Sequence, residues 1–233
     1  AAYKAGWNLG EEFVNMYLGH GGEFFKPGTA EPSVNNAQGV ATLNMLKQLA
    51  DLSNPDFLTH DSEAIKVEWE SGKVGLMTLW ASRSGTLLDD EGDAAITAAT
   101  KLAAPATVGG GSVPAATLWW DGFTLAKNRP DADAEASFQA LVHAATSAKM
   151  ANDASDQAVW LVKGFTPGPK SLGVLAAAEM GANPYPMLPH MSLMHGALGS
   201  EIVDFLQGKE SAEQALADVE AAYTAKAKEK GFL

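Results

Sequence analysis

Tryptophans at the ends of apolar segments are the residues of this sequence whose type and position best suggest chemistry. Trp80 directly follows a short apolar run at residues 74–79 and is followed at once by the polar residues Ser82 and Arg83. An indole at the carboxyl end of a strand can stack on the apolar face of a sugar ring while neighbouring polar groups bond its hydroxyls. Trp80 could equally close the top of a hydrophobic core. The first interpretation makes Trp80 a candidate carbohydrate contact, and the second remains its alternative.

Two further tryptophans, Trp119 and Trp120, are adjacent in the sequence and precede residues 123–126, which alternate like a strand. Neighbours on a strand face opposite ways, so one indole should lie in the core and the other should be exposed or in a cleft. Because Gly122 leaves room on the face of Trp120, we expect Trp120 to be the ligand contact. Asp121, at the start of this strand, is a candidate hydrogen-bond partner for a ligand hydroxyl.

Signatures of enzymes and metal sites are weak in this sequence. His190 and His195 are five residues apart after a proline, which does not match the i, i+4 spacing of a helical zinc site. The G-x-S-x-G, Walker A and G-x-G-x-x-G motifs do not occur. Glu11 and Asp121 are the only carboxylates that could be nominated to flank a glycosidic bond, so a carbohydrate-active enzyme is an alternative. We predict no catalytic residue, no metal and no cofactor.

Composition excludes several classes of partner. The 233 residues carry a net charge of −12, and their 16 basic residues are scattered, which argues against nucleic acids and anionic membranes as partners. The absence of cysteine excludes disulfides, thiolate metal sites and cysteine nucleophiles. No run approaches the roughly 18 apolar residues needed to span a bilayer, and the first residues lack the pattern of a signal peptide.

Helix and strand signals alternate along the chain, which is typical of an α/β protein. Asn35 and Gln38 resemble a capping pair at the start of one helix. A second helix is predicted over residues 62–71, with Gly72 as its left-handed stop. The apolar run at residues 74–79 then predicts a buried strand.

The second half of the chain contains two further clear helices. One begins at Asp131 or Asp133, and the other opens with Ser211 and Gln214 as a capping box. The apolar stripe of the first comprises Phe138, Leu141, Val142 and Ala145. The last helix is predicted to bury Ala215, Leu216, Val219, Ala222 and Tyr223. Trp69 and Trp160 lie inside helical patterns and are predicted to be core residues.

The order of these motifs resembles family 1 extracellular solute-binding proteins, the sugar-capturing subunits of bacterial ABC importers that include maltose-binding protein. The similarity begins with "LGHGGEFF", "VNNAQGVATLNMLKQLADL" and "AIKVEWESGKVGLMTLWAS". In the last of these, Trp69, Gly72 and Lys73 match the family pattern F-x-x-G-K-x-A-M, with Trp in place of Phe. The similarity to this family continues in "GFTLAKNRPDADAEASFQALVHA" and in the closing segment from "YPMLPHMS" onward. The resemblance covers nearly the whole chain, and it depends on the order of the motifs rather than on any single one.

The resemblance implies a type II periplasmic-binding-protein fold, with two α/β lobes around a sugar-binding cleft. It places residue 1 partway into the C-terminal lobe, so that most of the N-terminal lobe is absent and we expect a fragment. Residues 1–118 and 169–233 would form the C-terminal lobe, and residues 119–168 would be a returning segment of the N-terminal lobe. A strand at residues 123–126 would then lack its usual partners.

Site residues also follow from the resemblance. Trp80 matches the family's stacking tryptophan, and His195 falls where maltose-binding protein carries another stacking tryptophan. Trp7, Asn8 and Glu11 correspond to the ligand-facing start of a lobe helix, and Trp120 and Asp121 lie on the strand that enters the other lobe. Arg83 could form a bidentate pair with ring hydroxyls, or it could lie on the surface.

The expected function is therefore non-enzymatic binding of a sugar or oligosaccharide for delivery to an ABC permease. The resemblance implies a monomer located in the periplasm or tethered outside the cell by a lipid. The two alternatives are the carbohydrate-active enzyme and an interaction module without a small ligand.

Overall fold

The computed structural model describes residues 3–89, 92–146, 159 and 163–233. Short 3-10 turns occur at Phe57–Thr59, Gly85–Leu88 and Pro169–Ser171. The two strands found in this part of the chain are β1 Thr117–Leu118 and β2 Asn183–Pro184. The helices of the described residues are α1 Trp7–Gly19, α2 Ala37–Asp51, α3 Ser62–Glu70, α4 Ala81–Ser84, α5 Ala94–Ala99, α6 Asp131–Thr146, α7 Leu172–Glu179, α8 Met191–Glu201, α9 Val203–Leu206 and α10 Ala212–Glu229.

The hydrophobic core lies between four helices. Helix α8 packs against both α1 and α10, and α2 packs against the same two helices. Their apolar faces bury side chains such as Phe13, Leu43 and Leu198 completely. The hydroxyls of two buried tyrosines are satisfied by the backbone. The Tyr17 hydroxyl lies 3.1 Å from the carbonyl oxygens of residues 23 and 33 and donates its one proton to one of them, and Tyr223 donates to the carbonyl oxygen of residue 30. This helical core is the rigid support for the site described below.

Two glycines bring α1 and α8 into very close contact. A Cβ atom on Gly199 would lie 2.0 Å from the carbonyl oxygen of Gly6, and a Cβ atom on Gly10 would lie 2.6 Å from Cδ2 of His195. The backbone N–H of Gly6 donates to the carbonyl oxygen of Gly199 over 2.8 Å. Gly6 itself has φ of 97°, a conformation that glycine adopts without strain. The N-terminus of α1 is therefore hydrogen-bonded directly to the last turn of α8.

The described sheet consists of two parallel strands. Thr117 lies opposite Asn183 and Leu118 opposite Pro184, and the backbone N–H of Tyr185 donates to the carbonyl oxygen of Leu118 over 3.0 Å. Since the strands are parallel, the residues that follow them emerge at the same edge of the sheet. The aromatic residues Trp119 and Tyr185 occupy these two positions.

Two predicted strands are absent from the structure. Residues 74–79 and residues 123–126 form no strand, and Leu76, expected to be buried, is 90% exposed. An apolar run becomes a strand only when another strand satisfies its backbone groups, and the described sheet contains only β1 and β2. The strand prediction for residues 74–79 was therefore wrong.

The helix predictions were mostly confirmed, with one change of cap. Helix α2 is capped by Asn36, whose side chain accepts from the N–H of Gly39 over 2.9 Å, rather than by Asn35. Helix α3 stops as predicted, with Gly72 at φ 71°. Trp69 is only half-buried, and its Nε1 donates to the hydroxyl of Thr100 over 2.9 Å. The prediction for Trp160 lies outside the described residues.

Helix α6 begins at Asp131, the first of its two predicted starts, and part of its apolar stripe is exposed among the described residues. Phe138 is 52% exposed and Val142 is 39% exposed. Helical periodicity identifies the stripe but not the surface that would cover it. No helix of the described residues is both long and apolar enough to cross a membrane.

The cap of α10 gives a stability prediction. The Ser211 hydroxyl accepts from the N–H of Gln214 over 3.2 Å, so Ser211→Ala should lower the free energy of unfolding by about 1 kcal/mol. Ser200→Ala is the control, because the acceptors within reach of that hydroxyl all belong to its own helix: the carbonyl oxygens of Gly196 and Ala197 and the carboxylate of Glu201. Its effect should stay within about 0.5 kcal/mol. Urea unfolding of both variants measures the difference, and equal effects would contradict the cap assignment.

Candidate functional site

Four aromatic rings meet at the carboxyl edge of the sheet. Trp119 and Tyr185 follow β1 and β2, Trp7 begins α1, and His195 lies in α8. We call these four residues the aromatic cluster. Ligands of open α/β folds bind outside the carboxyl ends of the strands, so the cluster lies where this class of fold places a ligand.

The cluster consists of two exposed indoles, each supported by a buried ring. Trp7 stacks on His195 with ring centroids 3.7 Å apart and an interplanar angle of 13°. Trp119 stacks on Tyr185 at 4.1 Å and 28°. The indoles of Trp7 and Trp119 lie 6.2 Å apart and are tilted by 57°. Trp7 is 48% exposed and Trp119 41%, whereas Tyr185 and His195 are buried. Each indole therefore offers an open surface on a rigid base.

The hydrogen bonds of His195 determine its tautomer. Its Nε2 lies 2.8 Å from the carbonyl oxygen of Trp7, which can only accept, so Nε2 carries the proton and donates. Nδ1 is then an acceptor, and the hydroxyl of Tyr185 donates to it over 2.9 Å. Burial lowers the pKa of His195, while its bond to the Trp7 carbonyl acts in the opposite direction. The imidazole is accordingly neutral at neutral pH.

A buried carboxyl lies beside these rings. Glu11 is 2% exposed, and its Oε2 has no hydrogen-bond partner among the described residues. This atom lies 3.9 Å from Nδ1 of His195, but Nδ1 is unprotonated, so the contact is not an ion pair. Burial raises the pKa of Glu11 to about 7, assisted by the charge of Glu12 and opposed by hydrogen bonds to Thr117, Trp119 and Asn15.

The contacts of Thr117 favour a protonated Glu11. The Thr117 hydroxyl oxygen lies 2.6 Å from Oε1 of Glu11 and 2.7 Å from Oδ1 of Asn15, and it accepts from Nε1 of Trp119 over 2.9 Å. A hydroxyl has one proton and cannot donate to two acceptors at once. A protonated Glu11 resolves the conflict, because it donates to Thr117, which then donates to Asn15. Below the pKa of Glu11, about 7, the site floor is thus a neutral hydrogen-bond chain.

The structure brings together only part of the predicted site. Trp7, Glu11 and His195 meet in or beside the aromatic cluster, and Asn8 lies half-buried in the first turn of α1. Trp120 is 67% exposed and stacks on no described ring, and Asp121 next to it is exposed.

Trp80 and Arg83 belong to a different part of the structure. Trp80 is half-buried at the N-terminus of α4, whose main packing partners are the 3-10 turns Gly85–Leu88 and Pro169–Ser171. Arg83 pairs with the exposed carboxylate of Glu63. A separate hollow of about 620 Å³ lies between residues 124–126 and α6, and none of its lining residues belongs to the aromatic cluster.

Sequence reasoning missed three polar and aromatic partners of the site: Asn15, Thr117 and Tyr185. It also chose Trp120 rather than Trp119 as the cleft residue. The signal that could have identified Trp119 is its position directly after a strand that ends at Leu118, but a two-residue strand leaves almost no pattern in a sequence. In the described residues no group of histidine and carboxylate side chains is arranged to hold a metal ion.

Comparison with known proteins gives matches of structure rather than of sequence. No family model and no curated protein matches the chain. An ABC transporter solute-binding protein from Agrobacterium radiobacter K84, in complex with ribitol, is 19% identical, with a TM-score of 0.73 over 95% of this chain. Maltose-bound MalE3 of T. maritima is 14% identical, with a TM-score of 0.72 over 93% of this chain.

This chain spans only 57% of the length of each of these two proteins. The predicted resemblance and fold class are confirmed at the level of the fold. The chain has the type II periplasmic-binding-protein fold of ABC transporter solute-binding proteins, over about half of their length.

Proposed function

We propose that this chain forms part of the solute-binding component of an ABC importer, and that its aromatic cluster binds an uncharged sugar or polyol. The observation that carries the proposal is the pair of half-exposed indoles, Trp7 and Trp119, each on a buried ring at the carboxyl edge of the sheet. The ribitol and maltose bound by the two structural neighbours support the ligand class.

The chemistry of the cluster suits a neutral, hydroxyl-rich ligand. Indole faces accept the C–H surface of a sugar or polyol, and nearby polar groups bond its hydroxyls. The side-chain amide of Asn8 makes no hydrogen bond to a described residue and is our proposed polar partner. No lysine or arginine belongs to the cluster, and Glu11 would repel an anion whenever it ionised. Among the described residues, neither the aromatic cluster nor Glu11 is hydrogen-bonded or ion-paired to a lysine or arginine that could compensate the charge of an anionic ligand.

The remaining predicted contacts belong to the same proposal. Trp120 and Asp121 continue directly from Trp119, and Trp80 and Arg83 would contribute from the region of α4. We assign residues 1–118 and 169–233 to one lobe and residues 119–168 to a segment of the other. Binding would shift the population toward a closed arrangement of the lobes, which a permease would recognise. The proposed protein acts as a monomer, in the periplasm or tethered at the cell exterior.

Binding can be tested by replacing single indoles. We expect Trp7→Ala and Trp119→Ala each to weaken binding of ribitol or maltose by about 30-fold, or about 2 kcal/mol, which is typical of a buried aromatic anchor. Trp120→Ala is the matched comparison, because it removes an adjacent indole that stacks on no described ring. Isothermal titration calorimetry measures all three affinities.

Three results distinguish the possibilities in this experiment. A larger loss for Trp119→Ala than for Trp120→Ala supports the aromatic cluster as the site. An equal or larger loss for Trp120→Ala would instead favour the contact expected from the sequence. Absence of binding of both compounds and of a wider sugar and polyol panel would overturn the proposed function.

A further inference from the structure

We propose that His195 is a positioning residue that holds the two exposed indoles of the aromatic cluster in one arrangement without touching the ligand. Its effect on binding rests on the proposed function, whereas its effect on the indoles does not. This differs from the expectation, based on the family resemblance, that His195 contacts the sugar.

Burial removes His195 from any ligand surface. The side chain is 0% exposed, and one face of its ring is covered by the indole of Trp7. Helix α1 closes its edge, since a Cβ atom on Gly10 would lie 2.6 Å from Cδ2 and 2.9 Å from Nε2 of the ring. A ligand resting on Trp7 would be separated from His195 by the thickness of the indole.

The two nitrogens of His195 connect the two halves of the cluster. Nε2 donates to the backbone carbonyl of Trp7, which holds the first turn of α1 in place. Nδ1 accepts from the hydroxyl of Tyr185, whose ring is the base on which Trp119 stacks. One imidazole therefore links Trp7 directly, and Trp119 through Tyr185, so the 6.2 Å spacing of the indoles depends on it.

Imidazole has the combination of properties that this position requires. Its neutral form is flat enough to stack on an indole, donates from one edge and accepts at the other. Phenylalanine would keep the stacking but remove the hydrogen bond to the Trp7 carbonyl and leave the buried Tyr185 hydroxyl without the partner it has in His195, which is costly. Glutamine could replace a hydrogen bond but not the stacked ring. Loss of either property should loosen the indoles relative to one another.

The experiment follows the indoles spectroscopically. Closely spaced indoles produce coupled near-UV circular dichroism, and Trp7→Phe and Trp119→Phe identify that signal. We expect His195→Phe to reduce it strongly and Tyr185→Phe, which keeps the ring under Trp119 and loses only the hydrogen bond, to reduce it partly. In the same variants ribitol or maltose affinity should fall, by about tenfold for His195→Phe.

His190→Phe is the matched control. His190 is also buried, directly precedes α8 and packs its ring on Phe25, outside the aromatic cluster. It should leave the coupled indole signal unchanged even where it lowers the melting temperature. Loss of the signal in both histidine variants would show a general effect of core damage and overturn the assignment of a specific role to His195.

A measurement without mutation decides the hydrogen-bond pattern. Nitrogen-15 chemical shifts of His195 in the parent protein should show the neutral tautomer with the proton on Nε2. A proton on Nδ1, or an unchanged indole signal in His195→Phe, would overturn the inference. If the parent binds neither ribitol nor maltose, the proposed function fails on its own, and the spectroscopic results still decide whether His195 positions the indoles.

Discussion

Replacing Gly199 with alanine is expected to lower the free energy of unfolding by about 3 kcal/mol, the upper part of the range for overpacked cores. The added methyl would lie 2.0 Å from the carbonyl oxygen of Gly6, which is backbone and cannot rotate away. Relief requires α1 and α8 to separate, which also breaks the 2.8 Å hydrogen bond between Gly6 and Gly199. Because Trp7 directly follows Gly6, the same separation should displace the Trp7 indole from His195.

Gly196→Ala provides a matched control on the same helix. A Cβ atom on Gly196 would meet no atom within 4 Å. Alanine there should stabilise the protein by about 0.5–1 kcal/mol, because glycine is the poorer helix former. Urea unfolding compares the two variants at one pH. A Gly199→Ala protein as stable as the Gly196→Ala protein would show that α1 and α8 do not approach as closely as described.

Replacing Glu11 with glutamine is expected to change how stability depends on pH. The pKa of Glu11 is raised from its ordinary value of 4.5 to about 7, so between these values the folded protein holds a proton that the unfolded chain has released. Stability of the parent should therefore fall as pH rises through this window and level off above about pH 7. The full loss is about 3 kcal/mol, at about 1.4 kcal/mol for each pH unit.

Glutamine cannot ionise, and its side-chain amide can donate to Thr117 as the protonated carboxyl of Glu11 does. The variant should match the parent near pH 4.5 and exceed its stability by about 3 kcal/mol at pH 8. The lowered pKa of His195 has the opposite effect, favouring the folded state as pH rises toward 6.5. That contribution is present in both proteins and largely cancels in the difference between them.

Chemical unfolding of parent and variant at half-unit steps from pH 4.5 to 8 measures this difference. Glu213→Gln is the control for the loss of one negative charge from a chain of net charge −12. Glu213 is exposed in the first turn of α10, so this variant should not reproduce the pH-dependent gain in stability expected for Glu11→Gln. Parallel pH profiles for parent and Glu11→Gln would mean that the Glu11 carboxyl ionises normally in the folded protein.

Local signals in the sequence predicted the helices well. The cap of α10 at Ser211, the start of α6 at Asp131 and the stop of α3 at Gly72 all depend on residues within one turn of the helix end. The cap of α2 was misplaced by one residue because Asn35 and Asn36 both suit the position. Neighbouring residues settle such features, and no distant contact is needed.

Strands and the site depended on contacts between distant parts of the chain. Residues 74–79 have the composition of a strand, but no described strand pairs with them. The pairing of β1 with β2 ends at Leu118 and Pro184. The residues that follow, Trp119 and Tyr185, therefore lie side by side in the aromatic cluster, and Trp120 does not. A shift of one residue in a strand reverses the side chain that faces the site, and this register is invisible without the partner strand.

The sequence by itself determined the helices α2, α3, α6 and α10, the acidic net charge of the chain and, through the order of its motifs, the class of fold. Only the tertiary structure decided that His195 is buried beneath Trp7, that Glu11 is enclosed beside it, and that Tyr185 carries Trp119. The physical reason is distance along the chain: Trp7 and His195 are 188 residues apart. Their contact exists because Gly10 and Gly199 let two helices approach, which no local pattern encodes.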